Sequence, residues 1–161
     1  MIYLGIDCGI NGALVLLSCR QILEKMPMPV IQNGKRKEID IEQLNAIFDS
    51  LDGANTRVII ENPGGHAPSA SGLRSMTYSY AVVHTLAVVR LLPYYTFLAR
   101  QWQREYWIKP KGSYDTKAHA LSVANDIWLD QDWRRTPRCK KAFDGFVDAA
   151  LIAEYGRRLE L

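Results

Sequence analysis

The 161-residue chain has few cysteines, no long apolar run and no phosphate-loop motif. Cys8, Cys19 and Cys139 are an odd set without CxxC or Cys/His ligand spacing. Neither a disulfide framework nor a zinc site is indicated, and reduced, mostly buried thiols are expected. No apolar stretch reaches the roughly 18–20 residues of a membrane span. The longest, Ala81 to Leu92, is interrupted by His84, Thr85 and Arg90. Met1-Ile2-Tyr3-Leu4-Gly5 lacks the basic segment and cleavage site of a secretory signal. The expected location is therefore the cytoplasm, the host's if the chain is phage-encoded. Neither Gly-x-x-x-x-Gly-Lys-Ser/Thr nor Gly-x-Gly-x-x-Gly occurs, which disfavours a nucleotide cofactor. No repeat or linker composition breaks the chain, so residues 1–161 are expected to form one domain.

A hydrophobic content of 48% is enough to bury a core. The net charge of +3 conceals an asymmetry. Residues 100–141 hold ten Lys/Arg against five Asp/Glu, while the remainder has ten basic and twelve acidic residues. All four tryptophans, Trp102, Trp107, Trp128 and Trp133, lie in the basic stretch. A basic, aromatic-bearing segment suits a polyanion with stackable bases, although tryptophans more often anchor a core.

Ile2 to Asp7 reads as an apolar strand ending in an acid, and Gly9-Ile10-Asn11-Gly12 turns it into a second strand, Ala13 to Leu17. Arg20 to Met26 continues an antiparallel meander, Pro27 and Pro29 end it, and Asn33 to Lys37 reads as a polar loop. Asp40 can cap a helix whose Ile41, Leu44, Ile47, Phe48 and Leu51 recur at helical spacing. Arg57 to Glu61 is a buried strand, again closing on an acid. A helix to about Leu91, a strand from Tyr94 to Leu98, a helix from Thr116 to Leu129 capped by Asp115, and a final helix from Asp144 to Leu159 follow. The class is α/β, with one mixed five-stranded sheet, an antiparallel meander plus parallel strands, flanked by helices.

Asp7 and Glu61 end two apolar strands, and neighbouring strand ends would bring them together. Asp144 and Asp148 stand at i and i+4, one turn apart on one helix face. Each has an ordinary alternative: a turn initiator for Asp7, a solvated loop for Glu61, an N-cap for Asp144, a helix-dipole partner for Asp148. Their co-occurrence argues otherwise, because like charges gathered in a half-buried site need a cation. Four hard oxygen ligands suit Mg²⁺, with Mn²⁺ as substitute. Two such ions about 3.5–4 Å apart are the usual device for phosphodiester hydrolysis.

Gly5-Ile6-Asp7-Cys8-Gly9-Ile10-Asn11-Gly12-Ala13 resembles the opening of the RuvC-type Holliday junction resolvases, and Ile59-Ile60-Glu61 their strand with the catalytic Glu. Asp144-Gly145-Phe146-Val147-Asp148-Ala149-Ala150-Leu151 is similar to the C-terminal helix of bacterial and phage RuvC-like members, and Thr116-Lys117 to their upstream basic helix. The resemblance implies an RNase H-like fold and a homodimer. It also implies two Mg²⁺ ions per site held by Asp7, Glu61, Asp144 and Asp148, and paired nicks in a four-way junction. Two departures stand out: the last acids are four apart, as in the phage-like branch, and Phe143 replaces a frequent His.

Arg74, in the loop and helix after Glu61, and Lys117, Arg138, Lys140 and Lys141 are candidate DNA-binding residues. Lys109, Lys111, Arg134 and Arg135 add to the basic region. His66 is a weaker candidate metal ligand, and Tyr78 and Tyr80 are candidates for a junction wedge or dimer contact. Rival readings are a nuclease of RNA or RNA–DNA hybrids using the same acids, and a catalytically silent DNA-binding protein. The actin-like sugar kinases share the opening strand, but the chain is too short for their two lobes.

Overall fold

A computed structural model describes residues 1–34, 36–64, 69–107 and 114–161. The first three strands, β1 (Ile2–Asp7), β2 (Ala13–Ser18) and β3 (Gln21–Pro27), form the antiparallel meander. β2 and β3 are joined by Cys19 and Arg20, both left-handed at φ 46° and 66°. A two-residue turn with two positive φ angles matches the right-handed twist of its strands, and Trp128 Nε1 steadies it by donating to Arg20 O at 2.7 Å.

β4 (Val30–Asn33) and β5 (Arg36–Ile39) form a separate two-stranded hairpin, followed by α1 (Ile41–Asp49). Asp40 Oδ1 caps α1 by accepting from Gln43 N at 2.9 Å. β6 (Thr56–Asn62) enters parallel to β1, α2 (Ala70–Val89) crosses over, and β7 (Tyr94–Leu98) lies parallel to β6. The sheet order is β3-β2-β1-β6-β7. α3 (Ala99–Tyr106), α4 (Thr116–Ile127) and α5 (Asp144–Arg158) complete the chain.

β1 and β6 sit centrally and are buried on both faces, as their apolar runs require. The period-2 alternation sorts their side chains. Tyr3 and Ile59 join α5 in one core, while Leu4, Ile6, Val58 and Ile60 join Leu44, Phe48 and Val83 in the other. α5 is buried nearly all round, with the sheet beneath it and α3 and α4 above.

Two features depart from the sequence reading. Asn33, Arg36 and Lys37 belong to the strands of the β4–β5 hairpin rather than to a plain loop, and Gly34 supplies φ 58°. The hairpin is solvated on most of its surface, so it lacks the apolar alternation that marks a strand. α3 was also unforeseen. It is short, its cap position Leu98 offers no side-chain cap, and its one buried residue is Trp102.

Candidate active site

β1 and β6 run in register from Ile2↔Thr56 to Ile6↔Ile60, so the next positions, Asp7 and Glu61, are neighbours at the same end of the sheet. Alternation turns both toward the face that α5 covers, the face of Tyr3, Gly5 and Ile59. Two glycines set how closely α5 approaches. A Cβ on Gly5 would stand 2.1 Å from Ala149 O, and one on Gly145 would stand 2.8 Å from Asn11 O. Both distances are far inside van der Waals contact. The first turns of α5, carrying Asp144 and Asp148, are therefore pressed against β1 and the β1–β2 turn beside Asp7. Phe143 occupies the N-cap position without a side-chain cap, so Asp144 is the first helical residue and not the cap.

The carboxylates feel one another. Burial, then the charge of Asp144, pushes Asp7 up to about 6, while Lys117 pulls the other way. Glu61 is pushed up to about 7 by burial and then by Asp7, with the Trp102 hydrogen bond opposing. Asp148 is held well above the usual carboxylate range by burial, and further by Asp7, Glu61 and Asp144. Such mutual effects require a shared, poorly solvated field with too little positive charge.

Two neighbours partly answer that deficit. Lys117 Nζ, at the start of α4, lies 2.5 Å from Asp144 Oδ2, and this contact raises the lysine's own pKa. Trp102 Nε1, on α3, donates to Glu61 Oε2 at 2.9 Å and fixes that carboxylate's orientation. Nothing in the sequence signalled the second contact, since indole and carboxylate are 41 positions apart.

The donor set is all hard oxygen, and the raised proton affinities of Asp7, Glu61 and Asp148 mark a site short of cations. On both counts it fits Mg²⁺ or Mn²⁺. Among the described residues, no three Asp, Glu, His or Cys side chains close around one point as a finished cage. Asp144 leans to Lys117 and Glu61 to Trp102 instead.

The other candidates are dispersed. Arg74 is exposed on the second turn of α2. Arg138, Lys140 and Lys141 are exposed between α4 and α5. In the same loop Arg134 pairs with Asp132 at 2.8 Å, and Arg135 stacks 5.3 Å over Phe143. Tyr78 is exposed, whereas Tyr80 is partly covered and stacks on His84. His66, Lys109 and Lys111 lie outside the described residues. The four tryptophans are at most 7% exposed, so stacking on nucleic-acid bases is not their role. They anchor the core around α5.

No protein-family model and no curated protein sequence matches the chain. Solved structures do. Thermus thermophilus RuvC in complex with a Holliday junction substrate matches with a TM-score of 0.66 at 15% identity, over 99% of this chain and 96% of that one. A second Thermus thermophilus RuvC structure matches at 0.58 and 14% identity, over 99% and 97%. The architecture is the RNase H-like class, a mixed five-stranded sheet flanked by helices. Within that class it is the fold of RuvC. At such low identity the likeness defines the fold, and the chemistry has to be argued from the residues.

Proposed function

We propose that the chain is a divalent-metal-dependent endonuclease that resolves four-way or otherwise branched DNA. The observation that carries this is the shared field of Asp7, Glu61, Asp144 and Asp148, drawn from β1, β6 and α5. The RuvC fold supplies the substrate class, since one neighbour is complexed with a Holliday junction.

Asp7, Glu61, Asp144 and Asp148 would hold two Mg²⁺ ions. Bound there, the ions would activate a water for attack on phosphorus and stabilise the sugar oxygen that leaves. The protein's own groups do the rest. Trp102 holds Glu61 in one orientation through its single N–H. Lys117 neutralises Asp144 and presents an ammonium beside the place where a phosphate would enter. Arg138, Lys140 and Lys141 would grip phosphates flanking the scissile one, positioning without reading sequence. A homodimer would place two such sites on the two equivalent strands of a two-fold junction.

The test is cleavage of a synthetic four-way junction, a linear duplex and an RNA–DNA hybrid, each with Mg²⁺ and with EDTA. The expected result is symmetric paired nicks in the junction only, and only with Mg²⁺. Cleavage of the hybrid with the junction left intact would assign the site to RNA instead. Binding without cleavage of any substrate would make the chain a silent DNA-binding protein.

A further inference from the structure

The β4–β5 hairpin faces the first turns of α2. Between them is a cavity of about 670 Å³, open to solvent. Three basic side chains line it: Arg36 and Lys37 from β5, and Arg74 from α2. All three are exposed, and none is ion-paired with a carboxylate among the described residues. One acid, Glu38, shares the cavity and accepts from Asn33 Nδ2 at 3.1 Å, so the three cations exceed the acids there by two.

Like charges converging on one concave surface repel. In the basic loop after α4, Arg134 is paired with Asp132 and Arg135 stacks on Phe143, which leaves Arg138, Lys140 and Lys141 there without a carboxylate partner among the described residues. The hydroxyls of Ser71 and Ser75 on the α2 wall add donors suited to phosphate oxygens. Ile10, in the turn three residues beyond Asp7, lines the cavity as well. Through Ile10 the groove's lining reaches the turn that follows β1.

We infer that this groove binds the sugar-phosphate backbone of a DNA arm outside the scissile position, with Arg36 and Lys37 as one wall and Arg74 as the other. The inference rests on the nuclease reading for the identity of the polyanion as DNA. It adds a hairpin arm as a second grip. Contacts of this kind add affinity and fix the arm's direction, and they are salt-sensitive through counterion release.

The experiment is fluorescence-anisotropy binding of a synthetic four-way junction and of a linear duplex, in EDTA and over a salt series. It compares the wild type with Arg36→Ala/Lys37→Ala and with the charge reversal Arg36→Glu/Lys37→Glu. Both residues are solvent-exposed, and unchanged thermal midpoints verify the fold. The expected result is weaker junction binding, with the log affinity–log salt slope shallower by roughly two, from about 0.9 per phosphate contact. The reversal should weaken binding further. If the wild type binds and cleaves junctions while both variants keep its affinity and slope, the groove assignment is overturned and the nuclease reading stands. If the wild type binds no nucleic acid, both fall together.

Discussion

The two faces of the central sheet are built from the same strands and do opposite work. On one face, Leu4, Ile6, Val58 and Ile60 pack aliphatic against α1 and α2, without a buried acid among the described residues. On the other, Asp7 and Glu61 end the same two strands under α5, beside four buried tryptophans and a buried Glu154. Burial pushes the Glu154 carboxyl up, but hydrogen bonds from Arg157 Nε at 2.6 Å and Arg158 Nε at 3.1 Å, with their charges, outweigh it and hold the group below the usual range. Adjacent residues such as Ile60 and Glu61 therefore belong to different economies, one of packing and one of charge. A single-residue slip in register would exchange them.

The sharpest way to break that contrast is to mutate the charged face. Asp7→Asn or Glu61→Gln should drop junction cleavage to background while junction binding stays equal or tightens, since each removes a negative charge from a phosphate site. Gel-shift and cleavage assays on one preparation separate the two effects, and parallel loss of both would indicate misfolding. Trp102→Phe keeps an aromatic core residue and deletes the donor to Glu61. A loss of about 10–100-fold in cleavage is expected, as for other groups that orient a ligand, together with a higher Mg²⁺ requirement. A purely structural tryptophan would lower the thermal midpoint without moving the Mg²⁺ dependence.

The same contrast has a pH signature in metal-free protein. Asp7 and Glu61 bind protons more tightly folded than unfolded, at about 6 and about 7. Well below pH 4 both states are protonated and the groups contribute no penalty. Between about pH 4 and 7 the unfolded chain ionises first, so these groups cost stability as pH rises. For Asp7 the penalty is up to about 3 kcal/mol, at roughly 1.4 kcal/mol per pKa unit. Asp7→Asn should melt higher than wild type at pH 8 in EDTA, and the two should converge as the pH falls below 4. A wild type that stays the more stable at pH 8 would deny the charge crowding.

On the aliphatic face, Ile60→Val should cost about 0.5–1.5 kcal/mol in denaturant unfolding and leave the cleavage rate of folded protein unchanged. Next to Glu61→Gln, this is the finest comparison the sheet allows. An effect confined to binding is expected from Arg138→Ala/Lys140→Ala/Lys141→Ala. A salt slope shallower by up to about three units, equal for junctions of different sequence, marks phosphate gripping, and an unchanged slope marks a solvated loop.

Much of this architecture was legible in the sequence because β1, β6 and α5 obey their periods. Two apolar strands closing on acids, and two acids one helical turn apart, need only alternation and helical spacing to be located. Other features were not legible. The β4–β5 hairpin exposes most of its residues, so no apolar pattern marks it. α3 is too short and too weakly capped to announce itself. The tryptophans were ambiguous between base stacking and core until their burial decided it. The Trp102–Glu61 and Lys117–Asp144 contacts join residues far apart in the chain, and spacing carries no information about such pairs.

The central claim, that these four carboxylates form a divalent-cation site, is tested most directly by calorimetric titration of Mn²⁺ into wild type and Asp7→Asn, repeated in two buffers of different ionisation enthalpy. The account predicts saturable binding to the wild type with proton release, because ligands holding protons near neutrality must give them up to bind metal. It also predicts that Asp7→Asn loses this binding. Equal Mn²⁺ binding by both proteins, or none by the wild type, would contradict it.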